Sequence, residues 1–229
     1  MQMENQKDKK ARIMAIVGLL LGVVGLSLGF AAFSNTLTIK SSAEVVVDDS
    51  VFNVDFSSSS SSVVDDDITP TLNPTGVTGF TASNAVIDND NGDAVIKNLH
   101  AVFTAPGQEV TYSFFTKNAG ELKAYLKSIT FSNVSGESST KICTAKSGTT
   151  QSLVNTACTG ITLTVTVGSE AFTGTTLRSA FANATAHDLN KDASETVEVR
   201  IAYETGSAQA DGGFDVSFGD VTLLYSSAV

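Results

Sequence analysis

The chain has 229 residues, with 14 Lys and Arg against 24 Asp and Glu, two cysteines, three prolines and no tryptophan. Its formal net charge of −10 leaves no basic surface to neutralise phosphates, which excludes nucleic acid as an expected partner. The same acidity disfavours binding to anionic lipid.

The chain opens on an export pattern. Lys7, Lys9, Lys10 and Arg12 precede an uncharged apolar run from Ile13 to Phe33, which closes on Gly29-Phe30-Ala31-Ala32. A basic flank, an apolar stretch and small residues at the exit form a signal sequence, with cleavage expected near Ala31 or Ala32, before Phe33. The run of about 21 residues is also long enough to cross a bilayer as a helix. Both readings assign residues 1–32 to a signal peptide or membrane anchor and residues 33–229 to one domain. They imply a secreted or cell-surface location, anchored if the signal is kept. Signal peptidase and the membrane are the partners during export. Of the charged residues, four basic and two acidic fall in 1–32, so the remainder carries a net charge of about −12.

From Asn35 the pattern is that of strands. Leu37, Ile39, Ala43, Val45 and Val47 alternate with Thr and Ser. Val51 to Phe56 reads as a strand. Ser57 to Ser62 and Asp65-Asp66-Asp67 cannot bury apolar area and read as a mobile loop. Val77 to Ile87 and Ala94 to Phe103 read as a hairpin around Asp88-Asn89-Asp90-Asn91-Gly92-Asp93, because Asn and Gly tolerate positive φ. Asp88, Asp90 and Asp93 also suggest a Ca²⁺ loop. The spacing fails the EF-hand pattern, so the turn is the preferred reading and no cofactor is expected otherwise.

The central block alternates most clearly. Glu109 to Lys117 places Val110, Tyr112 and Phe114 on one face, after the Ala105-Pro106-Gly107-Gln108 turn. Leu122 to Phe131 follows a turn at Asn118-Ala119-Gly120. Cys143 and Cys158 are the chain's two thiols, and in an exported domain a disulfide between them is expected. Ile161, Leu163, Val165 and Val167 alternate with threonines, as in a half-buried antiparallel strand. Thr176 to Leu189 is the best helix candidate. Thr196 to Tyr203 and Phe214 to Tyr225 complete the strands, with a bulge expected at Gly219-Asp220. These elements predict an all-β fold, an antiparallel two-sheet sandwich of the jelly-roll kind.

No reactive motif emerges. The two histidines, His100 and His187, have no GxSxG elbow, HExxH helix, GxGxxG or P-loop beside them. The chain is not expected to be an enzyme.

Two stretches carry a family likeness. Leu28-Gly29-Phe30-Ala31-Ala32-Phe33-Ser34-Asn35 runs straight into a Thr-rich strand. Ala105-Pro106-Gly107, a strand, and Lys117-Asn118-Ala119-Gly120-Glu121-Leu122-Lys123-Ala124-Tyr125-Leu126 follow. Together they resemble the TasA and camelysin family, exported bacterial proteins with SipW-type signal peptides. The resemblance covers the signal and about 25 central residues, and implies a jelly-roll domain and a role in biofilm matrix fibres. The cysteine pair and the serine tract lie outside it, and no metal ligand of camelysin maps onto this chain. The expected function is an exported surface or matrix structural protein that assembles with copies of itself. A glycan-binding adhesin and a camelysin-like metalloprotease are the alternatives.

Overall fold

The computed structural model describes residues 51–89, 94–173 and 187–227. The chain divides into two compact units, Met1–Val46 and Val47–Val229, and every described residue lies in the second. The expected signal or anchor, and the cleavage region Ala31, Ala32 and Phe33, lie outside the described residues. Among those residues no helix is long and apolar enough to cross a membrane.

Among the described residues the unit is mostly β, and every paired strand is antiparallel. The larger sheet is built on β7 (Glu109–Asn118), β13 (Ser194–Tyr203), β10 (Ile161–Val167) and β11 (Glu170–Thr173), in that order. β1 (Val54–Ser57) and β2 (Thr71–Asn73) share the outer edge of β7. Strict alternation explains these strands. Ile161, Leu163, Val165 and Val167 are buried on one face of β10, and Val110, Tyr112 and Phe114 on one face of β7. Each such side chain contributes about 1.5–3 kcal/mol on burial.

The other strands form two smaller sheets. One runs β3 (Thr81–Ala82), β6 (His100–Phe103), β14 (Phe214–Phe218), β9 (Lys141–Ala145). The other runs β4 (Val86–Asp88), β5 (Val95–Lys97), β15 (Val221–Ser226), β8 (Ala124–Phe131), β12 (Asp188–Leu189). Their orders match, because β5 runs on into β6 and β14 into β15. The break falls at the same level on both pairs: Asn98, with φ of 61°, and Gly219-Asp220. Backbone bonds bridge the break, from Phe218 N–H to Leu99 O at 2.9 Å and from Ser132 N–H to Asp220 O at 2.9 Å.

The larger sheet faces these two across one core. Phe103 and Phe214 pack on Tyr203, with centroids 6.0 and 5.4 Å apart. Tyr112 donates from its hydroxyl to Ser83 O and His100 O, and Tyr225 to Thr116 Oγ1. These bonds let two phenols be buried without an orphaned polar atom.

Several expectations are corrected. The 77–87 strand is broken into β3 and β4, because Ser83 and Asn84 turn the chain between neighbours β6 and β5. The 94–103 strand is split at Asn98. The serine tract is a loop, but one closed on itself: buried Ser57 Oγ donates to Ser62 O and accepts from Ser59 and Val64 N–H. A helix, α1 (Gln151–Cys158), lies between the cysteines where none was expected. Thr150 caps it, its hydroxyl accepting from Leu153 N–H, and Val154 and Ala157 bury its inner side. Of the expected 176–189 helix, residues to 186 lie outside the described residues, and Asp188–Leu189 is strand.

Candidate functional site

Three places bring reactive side chains together. The first lies on the outer side of β6 and β14. His100 Nδ1 is 3.3 Å from Ser83 Oγ, and its Nε2 is 3.2 Å from Asp215 Oδ1. Lys146 Nζ lies 3.7 Å from the same Asp215 oxygen. The order Ser–His–Asp is that of an activated hydroxyl. Its surroundings are those of a sheet, however. Ser83 N–H donates to His100 O at 3.1 Å, and Ser83 O accepts from Tyr112. The backbone beside the hydroxyl is thus used by the fold rather than offered to a substrate oxyanion.

A cleft of about 470 Å³ opens on the other side of His100, at the break in the two smaller sheets. Asn98, His100, Asn133, Ser135, Ser217 and Asp220 supply its polar lining, and Ser83 does not reach it. The volume suits a small ligand, and the lining offers both donors and acceptors.

The second place is His187, 7 % exposed. Its Nδ1 is 3.0 Å from Glu195 Oε1 and its Nε2 is 3.1 Å from Glu170 Oε2. The ring edge packs on Phe172, centroids 6.2 Å apart. Each ring nitrogen therefore has a carboxylate oxygen within hydrogen-bond distance. The two carboxylates sit on opposite sides of the ring and do not converge on a point. Among the described residues no group of three or more His, Cys, Asp or Glu is arranged to hold a metal ion.

The third place is the Cys143–Cys158 disulfide, Cα atoms 6.1 Å apart, which ties α1 to β9. Lys141 lies beneath it. Its Nζ donates to Cys158 O at 2.9 Å and Ile161 O at 2.8 Å, and burial pushes its pKa down.

Of the three aspartates considered for Ca²⁺, Asp90 and Asp93 lie outside the described residues. Asp88 is paired with Lys97 across the β4–β5 hairpin. Both histidine clusters escaped the sequence, since their partners stand 8 to 115 residues away. Alternation gave one hint, placing His100 and Asp215 on strands that could neighbour.

No family model matches the chain, and no curated protein or solved structure matches it either.

Proposed function

We propose that this is an exported structural protein of the cell surface or extracellular matrix, TasA-like in family and jelly-roll in fold, that assembles with copies of itself by adding strands to open sheet edges. One observation carries this reading. The inner strands β7, β13 and β10 run 10, 10 and 7 residues, but the strands that finish the sheet run only 4, 3 and 4. On β7, Tyr112 to Phe114 have no strand partner at the outer edge among the described residues, since β1 takes Phe115–Asn118 and β2 takes Glu109–Thr111. On β10, Thr162 and Leu163 extend past β11 with no strand partner on that side among the described residues, while Ile161 O is taken by Lys141 Nζ. Such edges accept an extended segment through main-chain hydrogen bonds. Phe33 to Val47, alternating and set free by cleavage, is a donor of the right kind. A head-to-tail contact of this sort does not close, and builds a filament.

The cleft beside His100 supports a second reading, a binding module for a polyhydroxylated ligand such as a glycan. Its amide, hydroxyl and carboxylate lining matches hydroxyl groups.

Mass spectrometry of culture fractions tests the first reading. A chain beginning near Phe33, recovered in a high-mass extracellular or surface fraction, supports it. An intact chain found only in membranes replaces it with a one-helix anchor.

A further inference from the structure

We infer that α1 is a removable cover on the outer edge of β9, latched by the Cys143–Cys158 disulfide, and that the uncovered edge is a dock for the Phe33–Val47 segment of a second copy. β9 is the end strand of its sheet among the described residues, paired with β14 on one side. On the other side its main chain is met by side chains. Gln151, the first residue of α1, meets two of its groups with one amide. Ala145 N–H donates to Gln151 Oε1 at 3.0 Å, and Gln151 Nε2 donates to Cys143 O at 2.8 Å. One acceptor and one donor side by side do what a residue of a neighbouring strand would do. Asn155, one turn on, accepts from the same Nε2 at 2.8 Å and so fixes which way the amide faces. At the start of β9, Ser139 Oγ donates to Lys141 O and accepts from Lys141 N–H. A bare edge strand invites pairing with another chain, and these bonds close this one.

The cover depends on its latch. A helix of eight residues is too short to persist by itself in water. Val154 and Ala157 are its buried residues, a small apolar hold. α1 is pinned to β9 at both ends, by Gln151 at its start and by Cys158, bonded to Cys143, at its finish. Lys141 also holds Cys158 O, through a hydrogen bond only. A dithiol reductant removes the covalent pin. The Sγ–Sγ bond takes up two electrons and two protons, Cys143 and Cys158 become thiols, and the reductant closes its own disulfide. α1 then frays, and Gln151 releases Cys143 O and Ala145 N–H to an incoming strand.

Ile142 and Thr144, β-branched residues on β9, suit a strand partner. The oxidised subunit thus adds strands at its larger sheet, and the reduced subunit offers the smaller one as well. The docking half rests on the strand-addition reading; the cover does not.

The test is hydrogen exchange at the Ala145 amide, read by NMR in the dilute full chain held in detergent micelles, with and without a dithiol. Reduction lowers its protection roughly tenfold or more, while the β13 amides keep theirs. Gln151→Met exchanges fast at Ala145 without reductant, its disulfide intact. Should the reductant fail to reach the bond, the double variant Cys143→Ser, Cys158→Ser takes its place. Ala145 protection that survives loss of the disulfide, or survives in Gln151→Met, overturns the cover. An equal loss in β13 is global unfolding and overturns it too. A synthetic peptide of residues 33–47 separates the two halves. Added to the reduced chain, it is expected to restore protection at Ala145. A peptide that leaves this amide fast keeps the cover and removes the dock.

Discussion

Lys141 donates its ammonium to the backbone oxygen of Cys158, at the point where α1 ends against the disulfide. The same ammonium reaches Ile161 O, the first residue of β10. One side chain on β9 therefore ties the end of a helix to the start of a strand in the opposite sheet. Lys141→Met removes both donors and leaves two carbonyls to find new partners. The expected cost is about 1–3 kcal/mol, read as a lower midpoint in urea unfolding. The pH effect has a definite sign. A lysine whose pKa is lowered on folding binds fewer protons folded than unfolded, so stability rises as pH climbs toward the ordinary lysine range.

The disulfide closes the segment that carries α1. Free-thiol labelling of the denatured, unreduced protein is expected to detect no cysteine. Replacing both cysteines with serine costs roughly 3 kcal/mol on the chain-entropy account, because it restores freedom to the unfolded loop. Labelling of both thiols in untreated protein would contradict the pairing.

Glu109 is the acid that holds β2 and β13 to the end of β7. Asn73 Nδ2 donates to its Oε1 at 2.7 Å and Arg200 Nε to its Oε2 at 2.6 Å. The bond from Asn73, then that from Arg200, holds its carboxyl below the usual carboxylate range. A depressed carboxylate contributes stability above its unfolded pKa and loses it as pH falls through the folded value. In Arg200→Ala, a carboxyl-carbon NMR titration is expected to move Glu109 upward. An unmoved titration would show that Asn73 alone sets it.

Phe103 is fully buried and touches Phe80, Tyr203 and Phe214. It joins the two faces of the sandwich at the aromatic centre. Phe103→Ala is expected to cost about 3–5 kcal/mol, one of the largest single-residue losses in the fold. Thermal unfolding by circular dichroism measures it directly.

The long strands were legible because one face of each is buried. Alternation marks β7, β10, β13, β14 and β15 in the residues themselves, but the bulge expected at Gly219-Asp220 is instead a break between two strands, and the register shift falls between Leu224 and Tyr225. The helix α1 was not legible, since only Val154 and Ala157 of its eight residues are buried and no apolar stripe results. Its one local sign is the threonine pair, Thr149-Thr150, which precedes it. The closed serine loop was missed because its stability lies in hydroxyl-to-backbone bonds, for which composition gives no pattern. The histidine clusters depend on which strands meet. His187 gains Glu170 and Glu195 only when the β10–β11 hairpin folds back beside β13. A motif search along the chain has no access to that neighbourhood.

The central claim is assembly through open sheet edges, and its most direct test removes the donor segment. Chains covering residues 33–229 and 48–229 are compared by light scattering and electron microscopy over a rising concentration series. The longer chain is expected to form filaments, and the shorter to remain a folded monomer with the same circular dichroism. A longer chain that stays monomeric at every concentration, or a shorter one that forms the same filaments, would contradict the account.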